Sequence, residues 1–313
     1  MTIKNAIAVK DMKKAYPNKA VLKGVTFQVK EGSIFCLLGS NGAGKTTIVK
    51  ILSTLIGFDE GHAEILGNDV RCQGDEVRRK ISLTGQYAAV DEILTGRENL
   101  EMMARLCHLE KPKEHASQML KSFQLEDAGN RRVSTYSGGM KRRLDIAMSL
   151  TGKPSLIFLD EPTTGLDPQS RNAMWRMIEE LKEKGITIFL TTQYLEEAEQ
   201  LADQVAILHE GVLIANGSVA EIKSSFTNEY LIFSFSDLKS FQKMQGLFTK
   251  QMIAVDSRAL TITLQIQEEI EDIMYILTQM KSHGVQCSSF HQKKASLEDV
   301  FLHLVEQKGV LYA

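Results

Sequence analysis

The most constraining feature of this sequence is a short apolar stretch that runs directly into a glycine-rich loop. The stretch extends from Ile34 to Leu38, and the loop over residues 39–46 reads GSNGAGKT. A strand that is apolar at every position is typical of a parallel sheet covered on both faces. The loop matches the pattern GxxxxGK[ST] and precedes a helix-like run over 46–55. These residues therefore predict a strand, a loop and a helix, with phosphate bound by the backbone N–H groups of the loop.

Two further strands and the helix between them extend this unit into an α/β core. The strands are predicted over Leu156–Leu159 and Ile186–Leu190. The helix begins at Asp167-Pro168, which supply an N-cap and a first-turn proline, and it ends at Gly185. Alternating strands and helices indicate right-handed crossovers and a parallel sheet.

The regions around this core have different patterns. Apolar residues alternate with polar ones over 25–29, which predicts an antiparallel sheet beside the core. Residues 97–151 have apolar positions at helical spacing without a strong strand signal, and they predict a helical subdomain inserted in the core. A hairpin over residues 205–214 is expected to close this first domain, which ends near Phe226.

Residues 227–313 predict a second, smaller α+β domain with the order βαββαβ, the split-βαβ arrangement. Its 8 Lys and Arg against 10 Asp and Glu give no positive field, so we do not expect a nucleic-acid module. Its position after the core makes regulation or dimer stabilisation the hypothesis for its role. The predicted elements are strand Tyr230–Phe235, helix Leu238–Phe248, a short strand near Val255, strand Leu260–Ile266, helix Ile270–His283, strand Val285–Phe290 and a helix from Ser296.

Charge balance and cysteine spacing exclude several classes of protein. The 313 residues carry 37 Lys and Arg against 39 Asp and Glu, so no overall positive field favours nucleic acid. The four cysteines are far apart and form no CxxC pair, so neither a disulfide framework nor a zinc site is expected. The first residues lack the apolar core of a secretory signal, and no run reaches the roughly 18 apolar residues of a membrane span. Any role at a membrane is therefore expected to be peripheral.

The glycine-rich loop supplies the first candidate site residues. Its glycines let backbone N–H groups turn inward as an anion nest, and the N-terminus of the following helix adds a partial positive charge. Lys45 is expected to reach the β and γ phosphates of a nucleotide, and the Thr46 hydroxyl is expected to ligate Mg²⁺. The candidate binding residues are Gly39, Ser40, Asn41, Gly42, Ala43, Gly44, Lys45, Thr46 and Thr47.

Two adjacent acids follow the second buried strand. Asp160 and Glu161 come at its carboxyl end, where open α/β sheets bind their ligands. Asp160 is expected to hold Mg²⁺, directly or through water, and Glu161 to polarise the attacking water. A strand that ends in Asp-Glu is, taken alone, more often the start of a solvated loop. The phosphate loop upstream favours the catalytic interpretation.

A third segment, Ser137-Gly138-Gly139, opens a predicted helix within the sequence YSGGMKRR. Two glycines allow a backbone to approach closely, and Ser137 can donate to phosphate or simply cap the helix. With this segment the sequence resembles the ATP-binding subunit of ABC transporters, whose signature loop has the same SGG core. The resemblance covers about residues 5–220, with the motifs in the order of the family.

The resemblance implies further site residues. It implies that Tyr16 stacks on adenine, that Gln86 contacts Mg²⁺ and the attacking water, and that Asp167 lies at a dimer interface. Tyr16 alone could equally be a turn residue before Pro17, and Asp167 is also an excellent helix cap. Both roles of Asp167 are compatible.

One position departs from the broad superfamily. Where most members have a switch histidine, this chain has Gln193, which can donate a hydrogen bond to phosphate but cannot become cationic. Either the chain is a regulator that does not hydrolyse ATP, or Glu161 carries catalysis while Gln193 positions phosphate. The second interpretation is favoured, because GQYAAVDE, TTQYLEEAEQLAD, Met140 of the signature and the closing SLEDVF resemble the daunorubicin- and doxorubicin-resistance exporters, in which a glutamine here is familiar.

The resemblance also implies how the chain works. Two copies would enclose two ATP molecules with Mg²⁺ by C2 symmetry, each site completed by Ser137–Gly139 of the other copy. A separate transmembrane permease would dock near Gln86–Leu94, at the cytoplasmic face of the cell membrane, and export drugs, antibiotics or other amphipathic compounds. Rival classes fit less well: a chromosome ATPase would place a long coiled coil between the two loops, and a ribosome-acting member would carry two such cassettes. No nucleic-acid partner is expected.

Overall fold

The structure, a computed structural model, describes residues 4–17, 19–86, 88–224, 229–249, 251–266, 269–293 and 296–309. The chain divides into two compact units, Met1–Val219 and Ala220–Ala313. Phe226, where the sequence placed the end of the first domain, lies outside the described residues. Within the described part of the chain, the helices are all too short or too polar to cross a membrane.

The first unit combines a parallel core sheet, an antiparallel sheet and a helical subdomain. Its strands are β1 (Asn5–Tyr16), β2 (Lys19–Lys30), β3 (Ile34–Leu38), β4 (Glu60–Ile65), β5 (Asn68–Asp69), β6 (Ile81–Thr84), β7 (Leu156–Asp160), β8 (Thr187–Thr192), β9 (Gln204–His209) and β10 (Val212–Gly217). Its helices are α1 (Lys45–Leu52), α2 (Gly74–Lys80), α3 (Gly96–Leu106), α4 (Pro112–Ser122), α5 (Gly138–Ser149), α6 (Pro168–Glu183) and α7 (Leu195–Leu201), and a 3₁₀ turn spans Val133–Thr135. A further helix, α8 (Val219–Ser224), follows.

The core sheet has the strand order β10-β9-β3-β8-β7-β6. Neighbouring strands from β9 to β6 in this order pair in parallel, and the edge strand β10 pairs antiparallel with β9. Every residue of β3, β7 and β8 is buried, because other elements cover both faces of these strands. The parallel core predicted from the three apolar stretches is confirmed.

The antiparallel sheet, β2-β1-β4-β5, packs on the core sheet through aromatic rings. Phe27 of β2 stacks on Phe35 of β3 at 5.1 Å, and Phe35 stacks on Phe189 of β8 at 5.2 Å. Aromatic pairs of this kind contribute about 0.5–1.5 kcal/mol beyond their buried area. The alternation of buried and exposed residues over 25–29 is confirmed, since Val25, Phe27 and Val29 are buried.

The structure corrects the ends of two predicted elements in the first unit. Helix α1 ends at Leu52 rather than at residue 55, because Thr54 adopts a left-handed φ of 64°. Strand β8 starts at Thr187, one residue later than predicted, because the Ile186 N–H donates to Leu181 O at the end of helix α6. The strand also continues two residues further than predicted, to Thr192.

The second unit has the order β11 (Glu229–Ser234), α9 (Leu238–Leu247), β12 (Met252–Asp256), β13 (Thr261–Ile266), α10 (Glu269–Ser282), β14 (Ser289–Lys293) and α11 (Leu297–Gly309). Its sheet, β12-β13-β11-β14, is antiparallel throughout, which confirms the split-βαβ arrangement. The last strand was predicted over 285–290 but spans 289–293. Val285 instead ends the turn after α10, where its N–H donates to Met280 O at 2.9 Å.

Candidate nucleotide site

Four neighbouring parallel strands end at one edge of the core sheet, and candidate site residues follow each of them. β3 leads into the glycine-rich loop and β8 into Gln193, while β7 ends at Asp160 before Glu161, and β6 is followed by Gln86. The carboxyl ends of strands in an open α/β sheet form the crevice in which ligands bind. The fold thus brings the phosphate loop, both acids and both glutamines to the carboxyl ends of these strands, which we call the strand edge of the core sheet.

The glycine-rich loop depends on glycine at two positions. A Cβ at Gly39 would collide with the carbonyl oxygen of Leu208 on β9. Gly44, the N-cap of α1, has a left-handed φ of 114°, which other residues adopt only with strain. The loop therefore turns sharply from β3 into the N-terminus of α1, where backbone N–H groups have no helical partner and can bind an anion. Ser40, Asn41, Gly42 and Thr46 are exposed, Thr47 is half-buried, and Ala43 is buried.

The Lys45 ammonium contacts the first two residues of this loop. Its Nζ donates to Gly39 O at 2.7 Å and to Ser40 O at 3.2 Å. The same Nζ lies 3.3 Å from Glu161 Oε1, and only 5% of its side chain is exposed. The ammonium is thus held beside the loop backbone and paired with the acid. A polyphosphate would offer it a second set of anionic oxygens in the same place.

Asp160 is fixed by the neighbouring strand. It is buried at the end of β7, in register with Thr191 of β8, whose hydroxyl donates to Asp160 Oδ1 at 2.5 Å. This hydrogen bond sets the orientation of the carboxylate. Thr191 was not singled out by sequence reasoning, although its place two residues before Gln193 at the end of a buried strand was a signal for it.

Glu161 adopts an unusual backbone conformation. Its φ is 50°, in the left-handed region that non-glycine residues rarely occupy, and its N–H donates to both the carbonyl and the hydroxyl of Thr191 at 3.1 Å. Such strain persists where the surrounding structure determines it, and it is concentrated at functional sites. Here it turns the chain sharply at the end of β7, with the Glu161 carboxylate beside Lys45.

The two glutamines and Tyr16 lie on different sheets of the first unit. Gln86 is exposed and Gln193 half-buried, both at the strand edge. Tyr16 ends β1 of the antiparallel sheet, with 47% of its surface exposed and the Lys14 ammonium 5.7 Å from its ring centroid.

Ser137 caps α5 by accepting from the Met140 N–H at 3.3 Å. Asp167 caps α6, and hydrogen bonds from Ser170 hold the pKa of its carboxyl below its usual range. A Cβ at Gly139 would lie 2.9 Å from the Ser170 hydroxyl, so the Ser137–Gly139 segment packs on the start of α6. The helix-cap roles foreseen for Ser137 and Asp167 are therefore confirmed.

The donor set at the strand edge fits Mg²⁺. Thr46 offers a hydroxyl at the first turn of α1, Asp160 a carboxylate and Gln86 an amide carbonyl. These are all oxygen donors, which Mg²⁺ prefers, and the exposed side chains of Thr46 and Gln86 leave room for the waters and phosphate oxygens that complete its coordination. Bound there, the ion would neutralise charge on the phosphates.

Comparison with known proteins identifies the family. Residues 22–164 match the family model for ABC transporters, and residues 217–305 match the C-terminal domain of DrrA1-3-like ATP-binding proteins. The chain is 41% identical over 304 residues to the daunorubicin/doxorubicin resistance ATP-binding protein DrrA of Streptomyces peucetius, covering 96% of this chain and 92% of that one. The chain belongs to the ATP-binding proteins of ABC transporters.

Further comparisons show similarity to a drug-resistance protein and to a solved ATP-binding cassette. It is 39% identical to the doxorubicin resistance ATP-binding protein DrrA of Mycobacterium tuberculosis, over 95% of this chain and 92% of that protein. Among solved structures it resembles the dimeric post-hydrolysis state of an ATP-binding cassette bound to ADP and Pi, with a TM-score of 0.62 and 26% identity, over 68% of this chain and 98% of the other. The protein is thus an ATP-binding, ATP-hydrolysing subunit of the ABC transporter family, as the resemblance implied.

Proposed function

We propose that two copies of this ABC ATPase enclose two Mg-ATP molecules and drive a separate membrane permease that exports amphipathic compounds. In each site, Lys45 and the loop over 39–47 bind the phosphates, Tyr16 stacks on adenine, and Glu161 polarises the attacking water. Thr46, Gln86 and Asp160 hold Mg²⁺, and Gln193 positions the γ phosphate. Ser137–Gly139 and Asp167 of the other copy complete the site.

The observation that carries this proposal is the distribution of the candidate residues over two surfaces. The phosphate loop, the acids and both glutamines lie at the strand edge of the core sheet. The Ser137–Gly139 segment packs on the start of α6, with Gly139 against Ser170, and Ser137 caps α5. This segment opens a different helix from the phosphate loop, and its exposed serine and close-approach glycines suit it to contact the nucleotide of a second copy.

Cross-linking between differently marked copies tests this assembly. One copy would carry Asn41→Cys and the other Ser137→Cys, two exposed positions. Cys72, Cys107 and Cys287 would be replaced by serine, and the fully buried Cys36 would be left in place. We expect a disulfide-linked dimer only in the mixture and only with Mg-ATP, because nucleotide brings the two loops together. No cross-link in saturating Mg-ATP would contradict the proposed dimer.

The permease is proposed to dock on the helical subdomain and the segment after Gln86. Tyr87, the first residue of that segment, lies outside the described residues. Two large apolar side chains are exposed here, Ile93 at 78% and Leu106 at 67%. Ile93 precedes α3 and Leu106 ends it, so each is available to pack against a partner. The site is proposed to lie at the cytoplasmic face of the membrane.

Ile93→Glu is expected to weaken binding of the permease and leave the ATPase activity of the isolated chain unchanged. Burial of an isoleucine contributes about 1.5–3 kcal/mol, so affinity should fall by about tenfold or more. Co-purification of the tagged chain with its co-expressed permease measures this. Ile253→Glu, at an exposed position of the second unit, is the matched control. Equal co-purification of the two variants would remove Ile93 from the interface.

The exported compounds are proposed by analogy with the relatives. Those relatives are named for resistance to daunorubicin and doxorubicin, and another, of Bacillus subtilis, for resistance to linearmycin.

For the C-terminal domain, 227–313, we propose regulation or stabilisation of the dimer as the role. Its match to the DrrA1-3-like C-terminal model supports a role specific to this branch of the family.

A further inference from the structure

A buried arginine and aspartate on α5 bind both sides of the loop that carries Gln86. Arg142 Nη1 lies 3.3 Å from Asp145 Oδ2, with 7% and 5% of the two side chains exposed. The same Nη1 donates to Gly85 O at 2.5 Å, and Asp145 Oδ1 accepts from the Ala89 N–H at 3.1 Å. The pair therefore holds the residue before Gln86 and the residue three positions after it.

Arg142 also contacts the neighbouring strand end. Its Nη2 donates to the backbone carbonyl of Asp160 at 3.2 Å. One guanidinium thus links the end of β7 to the loop after β6. The planar fork of an arginine can hold such widely separated acceptors at once, whereas a lysine offers a single point charge.

The burial of this pair argues for a geometric role rather than a stabilising one. Burial lowers the pKa of Arg142 and raises the pKa of Asp145, which indicates that both charges lose hydration. Replacing a buried ion pair by apolar residues of similar volume is often neutral or stabilising.

The two basic residues on either side of Arg142 make different contacts. Lys141 pairs at the surface with Glu92, and Arg143 donates to the carbonyls of Phe123 and Gln124. Neither contacts Gly85 or Ala89. Of the three consecutive basic residues on α5, Arg142 is therefore the one that contacts the residue before Gln86 and pairs with Asp145, which holds Ala89.

We propose that the Arg142–Asp145 pair is a positioning element that fixes Gln86 relative to the helix that begins at the SGG segment. Helix α5 starts at Gly138, and the pair lies one to two turns into it. Contact of Ser137–Gly139 with the nucleotide of the other copy would then be transmitted through a rigid helix to Gln86. This inference rests on the proposed role of Gln86 in the nucleotide site.

The main test variant is the double substitution Arg142→Met with Asp145→Leu, which removes the pair without leaving a buried charge. We expect its melting temperature and ATP affinity to stay close to those of the unchanged protein. Hydrogen–deuterium exchange in the peptide containing Ala89 should rise. Turnover should fall by about 10- to 100-fold, the range in which small displacements of reacting groups act.

Two further variants separate positioning from folding. Asp145→Asn keeps an oxygen that can accept from the Ala89 N–H but leaves the Arg142 charge unpaired, so its melting temperature should fall while the folded protein retains most of the turnover and the exchange protection. Arg143→Gln removes a neighbouring guanidinium that does not contact the Gln86 loop, and its turnover should stay within about twofold of the unchanged protein. A stable double variant with unchanged exchange and unchanged turnover would overturn the proposal.

A cycle with Gln86→Ala decides whether the pair acts through Gln86. In that background, removal of the pair should lower turnover by less than about twofold, because the group it positions is already gone. Independent, multiplying effects would overturn the inference while leaving the role of Gln86 intact. If Gln86→Ala alone left turnover unchanged, the proposed role of Gln86 would fail, and the inference with it.

Discussion

Glu161→Gln is expected to abolish ATP turnover while ATP binding is retained. Glutamine keeps the size and the hydrogen-bonding oxygen of the side chain but cannot accept a proton from water. A positioned general base contributes about 10²- to 10⁴-fold to a rate, so turnover should fall by that factor. The loss of the negative charge 3.3 Å from Lys45 leaves that ammonium available to phosphate, so ATP affinity should stay equal or rise. Phosphate release and equilibrium nucleotide binding, measured on the same preparation, check both parts.

The matched control is Glu196→Gln. Glu196 is an exposed acid on α7 whose carboxylate lies 3.3 Å from Arg171. Exposed ion pairs contribute at most about 1 kcal/mol, so this variant should keep its turnover within about twofold. A Glu161→Gln protein that still hydrolyses ATP at a comparable rate would assign the base to another residue.

Lys45→Met is expected to weaken ATP binding itself. In the structure the ammonium donates to two loop carbonyls and pairs with Glu161, so it is already held where a phosphate would lie. Hydrogen bonds to charged groups are worth about 1.5–3 kcal/mol, which corresponds to about a 10- to 100-fold rise in Kd. Methionine fills similar space but leaves the buried Glu161 carboxylate without its partner, so the melting temperature should fall. Titration with a fluorescent ATP analogue measures the affinity.

Lys50→Met controls for the loss of a positive charge on the same helix. Lys50 is exposed on the last turn of α1, away from the phosphate loop at its start. Its substitution should leave the Kd within about twofold, since surface charges act weakly at physiological salt. Equal affinities for the Lys45 and Lys50 variants would mean that the loop does not bind the phosphates through Lys45.

The parts of the fold that could be predicted were those with a strong local pattern. The apolar stretches Ile34–Leu38 of β3 and Leu156–Leu159 of β7 could be recognised because strand residues buried on both faces of a sheet are rarely polar. The start of α6 could be recognised because Asp167-Pro168 has the chemistry of a helix N-terminus, and Asp167 does cap that helix. In both cases the sequence signal and the structure have the same physical cause.

The last strand was misplaced because its residues carry no burial signal. β14 lies at the edge of its sheet, and its side chains are all exposed. Its position is set by pairing with β11, including the stacking of Phe290 on Phe233 at 5.6 Å. Contacts between residues far apart in sequence do not appear in a local hydrophobic pattern.

The Arg142–Asp145 pair was missed for a related reason. Within MKRRLD, three basic residues and an acid resemble an exposed helix face, and only tertiary packing buries one of the basic residues. A weak signal was present, because Arg142 lies three residues after Gly139 and four before Ile146, both of which are buried. The burial of Glu197 was missed for the same reason. Glu197 is fully buried and accepts a hydrogen bond from Trp175, whereas its neighbour Glu196 is exposed.

The central claim is that nucleotide joins two copies of this chain and that hydrolysis separates them. Light scattering on purified Glu161→Gln protein, with and without saturating Mg-ATP, tests it most directly. We predict a doubling of the molar mass with Mg-ATP, one nucleotide bound per chain, and a return to the mass of a single chain when the nucleotide is removed. A protein that binds ATP but keeps the mass of one chain would contradict the claim.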